Sequence, residues 1–234
     1  MQVAIFIPCF VDQLYAQTAW NMIQILEDLG CEVLYNPNQT CCGQPAYNAG
    51  IIEPAKVVAT KFYQDLEQYR LQNIPIVCPS ASCVGFVRNH LGNVVESTTA
   101  ELPIYELSEF LVQLPTIQQL QPTFDARVMY HDACAALREC SIKAEPRQLL
   151  QQVQKLEVVY PTNENCCGFG GTFAVKYEPI SVAMAAKKVQ QALDLEATAI
   201  VSTDLSCLMH LQAYIDQQQL PLKTYHLADI LVMD

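Results

Sequence analysis

Apolar runs three to five residues long alternate along this chain with longer stretches in which apolar positions recur every third or fourth residue. The first pattern is that of strands buried on both faces, the second that of amphipathic helices. Residues 3–7 predict a strand. Residues 12–29 predict a helix with Ala19, Met22, Ile23, Leu26 and Leu29 on one face and Gly30 as its stop. A second strand is expected over 31–35 and a loop with Pro, Asn and Gly over 36–50. A helix begins near Pro54 and carries Val58, Phe62, Leu66 and Tyr69. Strands over 74–77 and 102–105, each followed by a helix, complete the first half. After a polar seam at 118–123 the order repeats: strand 128–130, helix 146–153, strand 156–160, helix 179–193, strand 199–201, helix 208–216, strand 222–225 and a terminal helix. Strands alternating with helices imply an α/β fold with parallel sheets covered on both faces.

The repetition is also written in the residues. Cys9, Cys41, Cys42 and Gly43 recur 125 positions later as Cys134, Cys166, Cys167 and Gly168, and Cys83 recurs 124 positions later as Cys207. Glu32, Val33 and Tyr35 return as Glu157, Val158 and Tyr160. Farther on the offset shrinks to 120, where the segment from Tyr105 to Val112 parallels that from Tyr225 to Val232. The chain therefore reads as an internal duplication, two pseudo-symmetric parallel-sheet lobes over 1–115 and 124–234. In this layout every repeated cysteine falls just past the end of a strand, at the carboxyl edge of its sheet. Open α/β folds build their sites there, and helix N-termini favour thiolates there.

Composition narrows the chemistry. The chain has 234 residues, 51% of them hydrophobic, and a net charge of −11, which argues against nucleic acid and anionic membrane surfaces. Residues 1–8 lack a basic leader, and no apolar run approaches the length of a membrane span, so a cytoplasmic location without membrane insertion is expected. In a reducing compartment eleven cysteines are not a disulfide framework. A packed core has no reason to repeat cysteine in register, whereas an inorganic centre needs several soft sulfur ligands at one point. Structural zinc usually takes compact Cys-x2–4-Cys pairs, which are absent, and adjacent ligands suit a multi-iron cluster better than one tetrahedral ion. The metal-ligand candidates are Cys9, Cys41, Cys42 and Cys83 in the first half and Cys134, Cys166, Cys167 and Cys207 in the second. Four per half suffice for one [4Fe–4S] cluster in each. Zinc stays open as the rival.

The segments Cys41-Cys42-Gly43-Gln44-Pro45-Ala46-Tyr47 and Cys166-Cys167-Gly168-Phe169-Gly170-Gly171, together with Pro79-Ser80-Ala81-Ser82-Cys83, resemble the cysteine-rich CCG-domain iron–sulfur proteins. That family includes the cysteine-rich component of heterodisulfide reductase and iron–sulfur subunits of glycolate, glycerol-3-phosphate and lactate oxidation, and the lactate-utilisation branch matches best. The resemblance implies an iron–sulfur redox subunit that acts with other lactate-utilisation subunits to oxidise L-lactate to pyruvate. In the heterodisulfide reductase relative five cysteines hold each cluster. Here Cys78 is a fifth cofactor-binding candidate in the first half, but Ser202 stands at the corresponding place in the second. Two other functions stay open: a thiol–disulfide redox subunit like heterodisulfide reductase, and a metal-stabilised scaffold without redox chemistry.

The remaining residues weigh toward ordinary roles. Cys31 and Cys140 are expected to pack as small hydrophobes. His131, three residues before Cys134, favours a structural role over ligation or proton transfer, and His90, His210 and His226 show no ligand spacing. The glycines after Cys167 form neither a dinucleotide fingerprint nor a Walker sequence; they let backbone N–H groups approach sulfur. Arg88 is read equally as a counter-charge to an anionic centre or as solvated, and Trp20 as core.

Overall fold

Eight short strands form two sheets, and each is parallel throughout. In the computed structural model, which describes residues 1–95 and 101–233, the first sheet holds β1 (Gln2–Ile5), β2 (Glu32–Tyr35), β3 (Ile76–Cys78) and β4 (Ile104–Glu106) in the order β2-β1-β3-β4. The second holds β5 (Thr123–Tyr130), β6 (Gln154–Val159), β7 (Ala199–Ser202) and β8 (Lys223–His226) in the order β6-β5-β7-β8. The register is duplicated too, with Val3 beside Val33 in one sheet and Val128 beside Val158 in the other. Residues 96–100 of the first expected lobe and Asp234 of the second lie outside the described residues.

The strand order places a switch point in each sheet. The chain leaves β1 toward β2 on one side and then crosses to β3 on the other, so a crevice opens between the carboxyl ends of β1 and β3. The second sheet repeats this between β5 and β7. Each crevice lies where the repeated cysteines fall.

The lobes meet through equivalent surfaces. The helix Ala16–Asp28 of the first packs on Leu227–Ile230 of the second, and Leu107–Leu111 packs on Ala144–Leu150, the same contact with the lobes exchanged. Asp229 fastens the first of these, accepting from Asn21 Nδ2 at 2.8 Å and Thr18 Oγ1 at 3.3 Å. One core runs through both lobes, from Val3, Met22 and Leu107 to Val128, Leu149 and Leu227. A second core of Phe6, Phe62, Leu66, Ile76 and Phe86 fills the far side of the first sheet.

Local details depart from the periodicity in several places, and β5 starts at Thr123, inside the expected polar seam and well before residue 128. The helix expected over 12–29 is two helices, Cys9–Leu14 and Ala16–Asp28, broken at Tyr15 (φ −137°, ψ 43°). It ends where expected: Gly30 takes φ +81°, and the Cys31 N–H closes back on the Leu26 carbonyl at 2.9 Å. The loop after β2 contains a helical turn, Gln44–Asn48. Trp20 is 65% exposed, because Thr18, Ala19, Asn21, Met22, Ile25 and Leu26 define the inward face of its helix and position 20 points away from it. Among the described residues, no helix is long and apolar enough to cross a membrane.

Candidate metal centre

Each quartet is assembled by the same three connections. Cys9 and Cys134 open the helices Cys9–Leu14 and Cys134–Arg138 that follow β1 and β5. The pairs Cys41, Cys42 and Cys166, Cys167 sit in the loops after β2 and β6. Cys83 and Cys207 are the third residues of the helices Ala81–Asn89 and Leu205–Gln217 that follow β3 and β7. All eight line one cleft of about 520 Å³ between the lobes, together with Pro8, Phe10, Phe169, Val175 and Leu205. None of the eleven cysteines is in a disulfide.

Within a quartet the sulfurs touch in series. Cys42 Sγ is 3.7 Å from Cys83 Sγ. Cys41 is held as a thiolate, down at about 3, by the thiols of Cys42 and Cys9 and by the backbone N–H of Gly43, which donates to its sulfur at 3.4 Å. Cys166 repeats this, at about 2, with Cys134 and Cys167 as thiol donors and the Gly168 N–H at 3.4 Å. Cys9, Cys42, Cys134 and Cys167 are pushed up, first by hydrogen bonding to the neighbouring thiolate and then by burial. Without metal, each set therefore carries one thiolate whose charge is shared by the thiols around it.

The glycine after each cysteine pair is required twice over. Gly43 sits at φ +94° and Gly168 at φ +100°, in the left-handed region that a side chain disfavours. A Cβ on Gly168 would stand 2.6 Å from the Ser181 carbonyl oxygen and 2.8 Å from Met184 Cβ. On Gly43 it would press on the Ala55 carbonyl oxygen at 3.2 Å and Ala59 Cβ at 3.3 Å. This turn is what aims the N–H groups of Gly43 and Gly168 at sulfur, and the Phe169 N–H adds a third such bond, to Cys167 at 3.5 Å.

The other cysteines separate from the eight. Cys78 is fully buried behind the cleft, at the end of β3, with its sulfur 3.8 Å from the Ser80 carbonyl oxygen. Burial, first of all, pushes its thiol up. Cys31 is buried in the core. Cys140 lies against the Ala81 carbonyl at 3.4 Å and is raised by burial to about 12. Arg88, partly exposed, is engaged away from the cysteines: it donates to the Ile104 carbonyl at 2.7 Å and pairs with Glu109 at 2.7 Å. Asp132 is likewise taken by Arg147, at 2.6 and 2.8 Å.

Sequence reasoning missed two groups near the cysteines. Asp204, 2% exposed, caps its own helix by accepting from Ser206 N–H at 3.1 Å and reaches across the lobes to accept from Ser82 N–H at 2.9 Å. One carboxylate thus ties the two helices that carry Cys83 and Cys207. Lys188, 1% exposed, interrupts the small-residue stripe Ser181, Ala185, Val189, Ala192 and is lowered by burial, which the neighbouring cysteine set and Asp132 oppose. A lysine on the buried stripe of a helix was the available signal. Histidines flank the same site: His210 Nε2 lies 3.1 Å from Ser181 Oγ beside Gly168, and His131 is buried near Cys167 and Cys207.

Two parallel α/β lobes with duplicated thiol nests at a shared cleft define a cysteine-rich domain protein. The cysteine-rich CCG domain matches residues 3–88 and again 128–212, and the chain belongs to that family. It is similar to lactate utilization protein A of Exiguobacterium sp., 38% identical over 237 residues, covering 98% of this chain and 96% of that protein. Lactate utilization protein A of Oceanobacillus iheyensis is 35% identical over 239 residues, covering 99% and 96%. Among solved structures, a hypothetical protein from Helicobacter pylori shares the fold at a TM-score of 0.65 and 14% identity. The match covers 99% of this chain and 48% of that one, so the chain spans about half its length.

Proposed function

We propose that this chain is an iron–sulfur redox subunit of a cytoplasmic system oxidising L-lactate to pyruvate. In this reading the lobes 1–115 and 124–234 hold one [4Fe–4S] centre each, through Cys9, Cys41, Cys42 and Cys83 and through Cys134, Cys166, Cys167 and Cys207. The observation that carries the reading is the convergence of all eight repeated thiols on one cleft. The names of the relatives speak of lactate utilisation, and the partner subunits are what the family resemblance implies. The donor set suits the group: soft sulfur ligands, an apolar rim and backbone N–H groups directed at sulfur.

When bound, such a centre supplies one-electron transfer. The chain's own residues set its conditions. The N–H groups of Gly43, Gly168 and Phe169 withdraw charge from sulfur, which eases reduction. Phe10, Phe169, Val175 and Leu205 limit water at the cleft. The thiols of Cys9, Cys42, Cys134 and Cys167, held protonated in the metal-free chain, release their protons on loading. Asp204 keeps the two cysteine helices at a fixed separation. The two-electron oxidation of lactate is divided with partner subunits.

Anaerobically purified or reconstituted protein should contain iron and acid-labile sulfide, and its visible absorption should bleach when lactate and the partner subunits are supplied. A metal-free chain after reconstitution, or one holding stoichiometric zinc, would overturn this reading. Turnover of a mixed disulfide by this chain, without lactate, would favour the thiol–disulfide alternative.

A further inference from the structure

The two sites are not copies. His131 directly follows β5, and its N–H donates to the Val201 carbonyl on β7 at 2.8 Å; Phe6 holds the duplicated place after β1, with its N–H on Val77 at 2.9 Å. The imidazole is 1% exposed, and its Nε2 has no hydrogen-bond partner among the described residues. A ring nitrogen of His131 and the sulfurs of Cys167 and Cys207 all lie within 4.8 Å of one another. A buried, unpaired imidazole nitrogen is costly unless something occupies the space it faces. A complementary exchange has occurred one strand away. Where β3 ends in Cys78, β7 ends in Ser202, whose hydroxyl turns away to donate to the His131 carbonyl at 2.8 Å.

We infer that His131 is a nitrogen donor to the metal centre of the second cysteine set, so that the two lobes hold unlike centres. This rests on the metal-holding reading of the quartets. The exchange replaces phenylalanine by imidazole on one strand and thiol by hydroxyl on its neighbour. All four cysteines of the second set are retained, so His131 adds a neutral fifth donor where the first lobe has Phe6. Buried Lys188, beside the same cysteines, is a second feature of this lobe's site.

The test uses the cluster-loaded full chain, labelled with [15N]histidine, in its paramagnetic redox state. Pulsed EPR of the wild type should show a nitrogen coupling that changes with the label. His131→Phe, which installs the residue of the first lobe, should abolish that coupling while iron from the first set remains. No label-sensitive coupling in the wild type, or the same coupling in the variant, overturns the inference. If the chain takes up no iron at all, the iron–sulfur reading fails separately, and Co(II) titration of the metal-free chain decides the role of His131. A loss of at least about tenfold in affinity at one site of the variant supports it, and unchanged affinities overturn it.

Discussion

Replacing Asp204 by alanine should cost far more than removing an ordinary helix cap, because this carboxylate serves both lobes. One oxygen accepts from Ser206 N–H and Oγ at the start of its own helix, the other from Ser82 N–H in the first lobe. Loss of the cap is worth about 1 kcal/mol. Leaving the partly buried Ser82 N–H without its charged acceptor adds roughly 1.5–3 kcal/mol. The expected total is about 3 kcal/mol, a fall of about 6–12 °C in Tm for a chain of this size. Ser80 is the internal control. It holds the duplicated N-cap position and makes no capping bond, its hydroxyl meeting Ser82 Oγ at 3.1 Å, so Ser80→Ala should cost under about 1 kcal/mol. Asp204→Asn keeps one acceptor and should fall between the two. Urea denaturation of the metal-free chain measures all three. An Asp204→Ala variant no less stable than Ser80→Ala would refute the bridging role.

Three further outcomes follow from the same structure. Gly168→Ala should destabilise more than Gly43→Ala, by about 1–3 kcal/mol of overpacking beyond the shared backbone strain, since its new methyl meets main chain at 2.6 Å; equal losses in denaturation would contradict this. Burial raises the Glu106 carboxyl to about 7 from 4.5, so its neutral form is favoured in the fold and stability is lost as pH rises from about 4.5 through 7. Glu106→Gln should remove that loss, which amounts to about 3 kcal/mol, and a variant with the wild-type pH profile would refute it. Lys188→Met should lower the midpoint potential of one centre by tens of millivolts (about 59 mV per 1.4 kcal/mol for one electron) and leave the other in place, as read by potentiometric titration.

Much of the architecture was legible because the duplication is exact in register where function fixes it. The offset of 125 holds through the cysteine loops and drops to 124 and then 120 between them, where connections tolerate change. Strand runs were readable because parallel strands buried on both faces are continuously apolar, as at Ile76, Val77 and Cys78. Trp20 misleads because its size suggests burial, while the inner face of its helix is set by smaller neighbours at 18, 19, 22, 25 and 26. Arg88 was ambiguous because its partner Glu109 lies 21 positions away and meets it only through β4 and the helix after it. Asp204 gave no signal, and Lys188 only its place on an apolar helix stripe, for a related reason. A buried charge is recognised by what surrounds it, and here that is the other lobe or the cysteine loops. The break at Tyr15 had no Pro or Gly to announce it.

The measurement that bears most directly on the account is iron and acid-labile sulfide per chain, in anaerobically reconstituted wild type and in Cys42→Ser and Cys167→Ser. Two independent nests predict about eight iron atoms in the wild type and about half that in either variant, each retaining the spectrum of the untouched lobe. Loss of all iron from a single variant would instead mean one shared centre across the cleft. A wild type that takes up zinc and no sulfide would contradict the account outright.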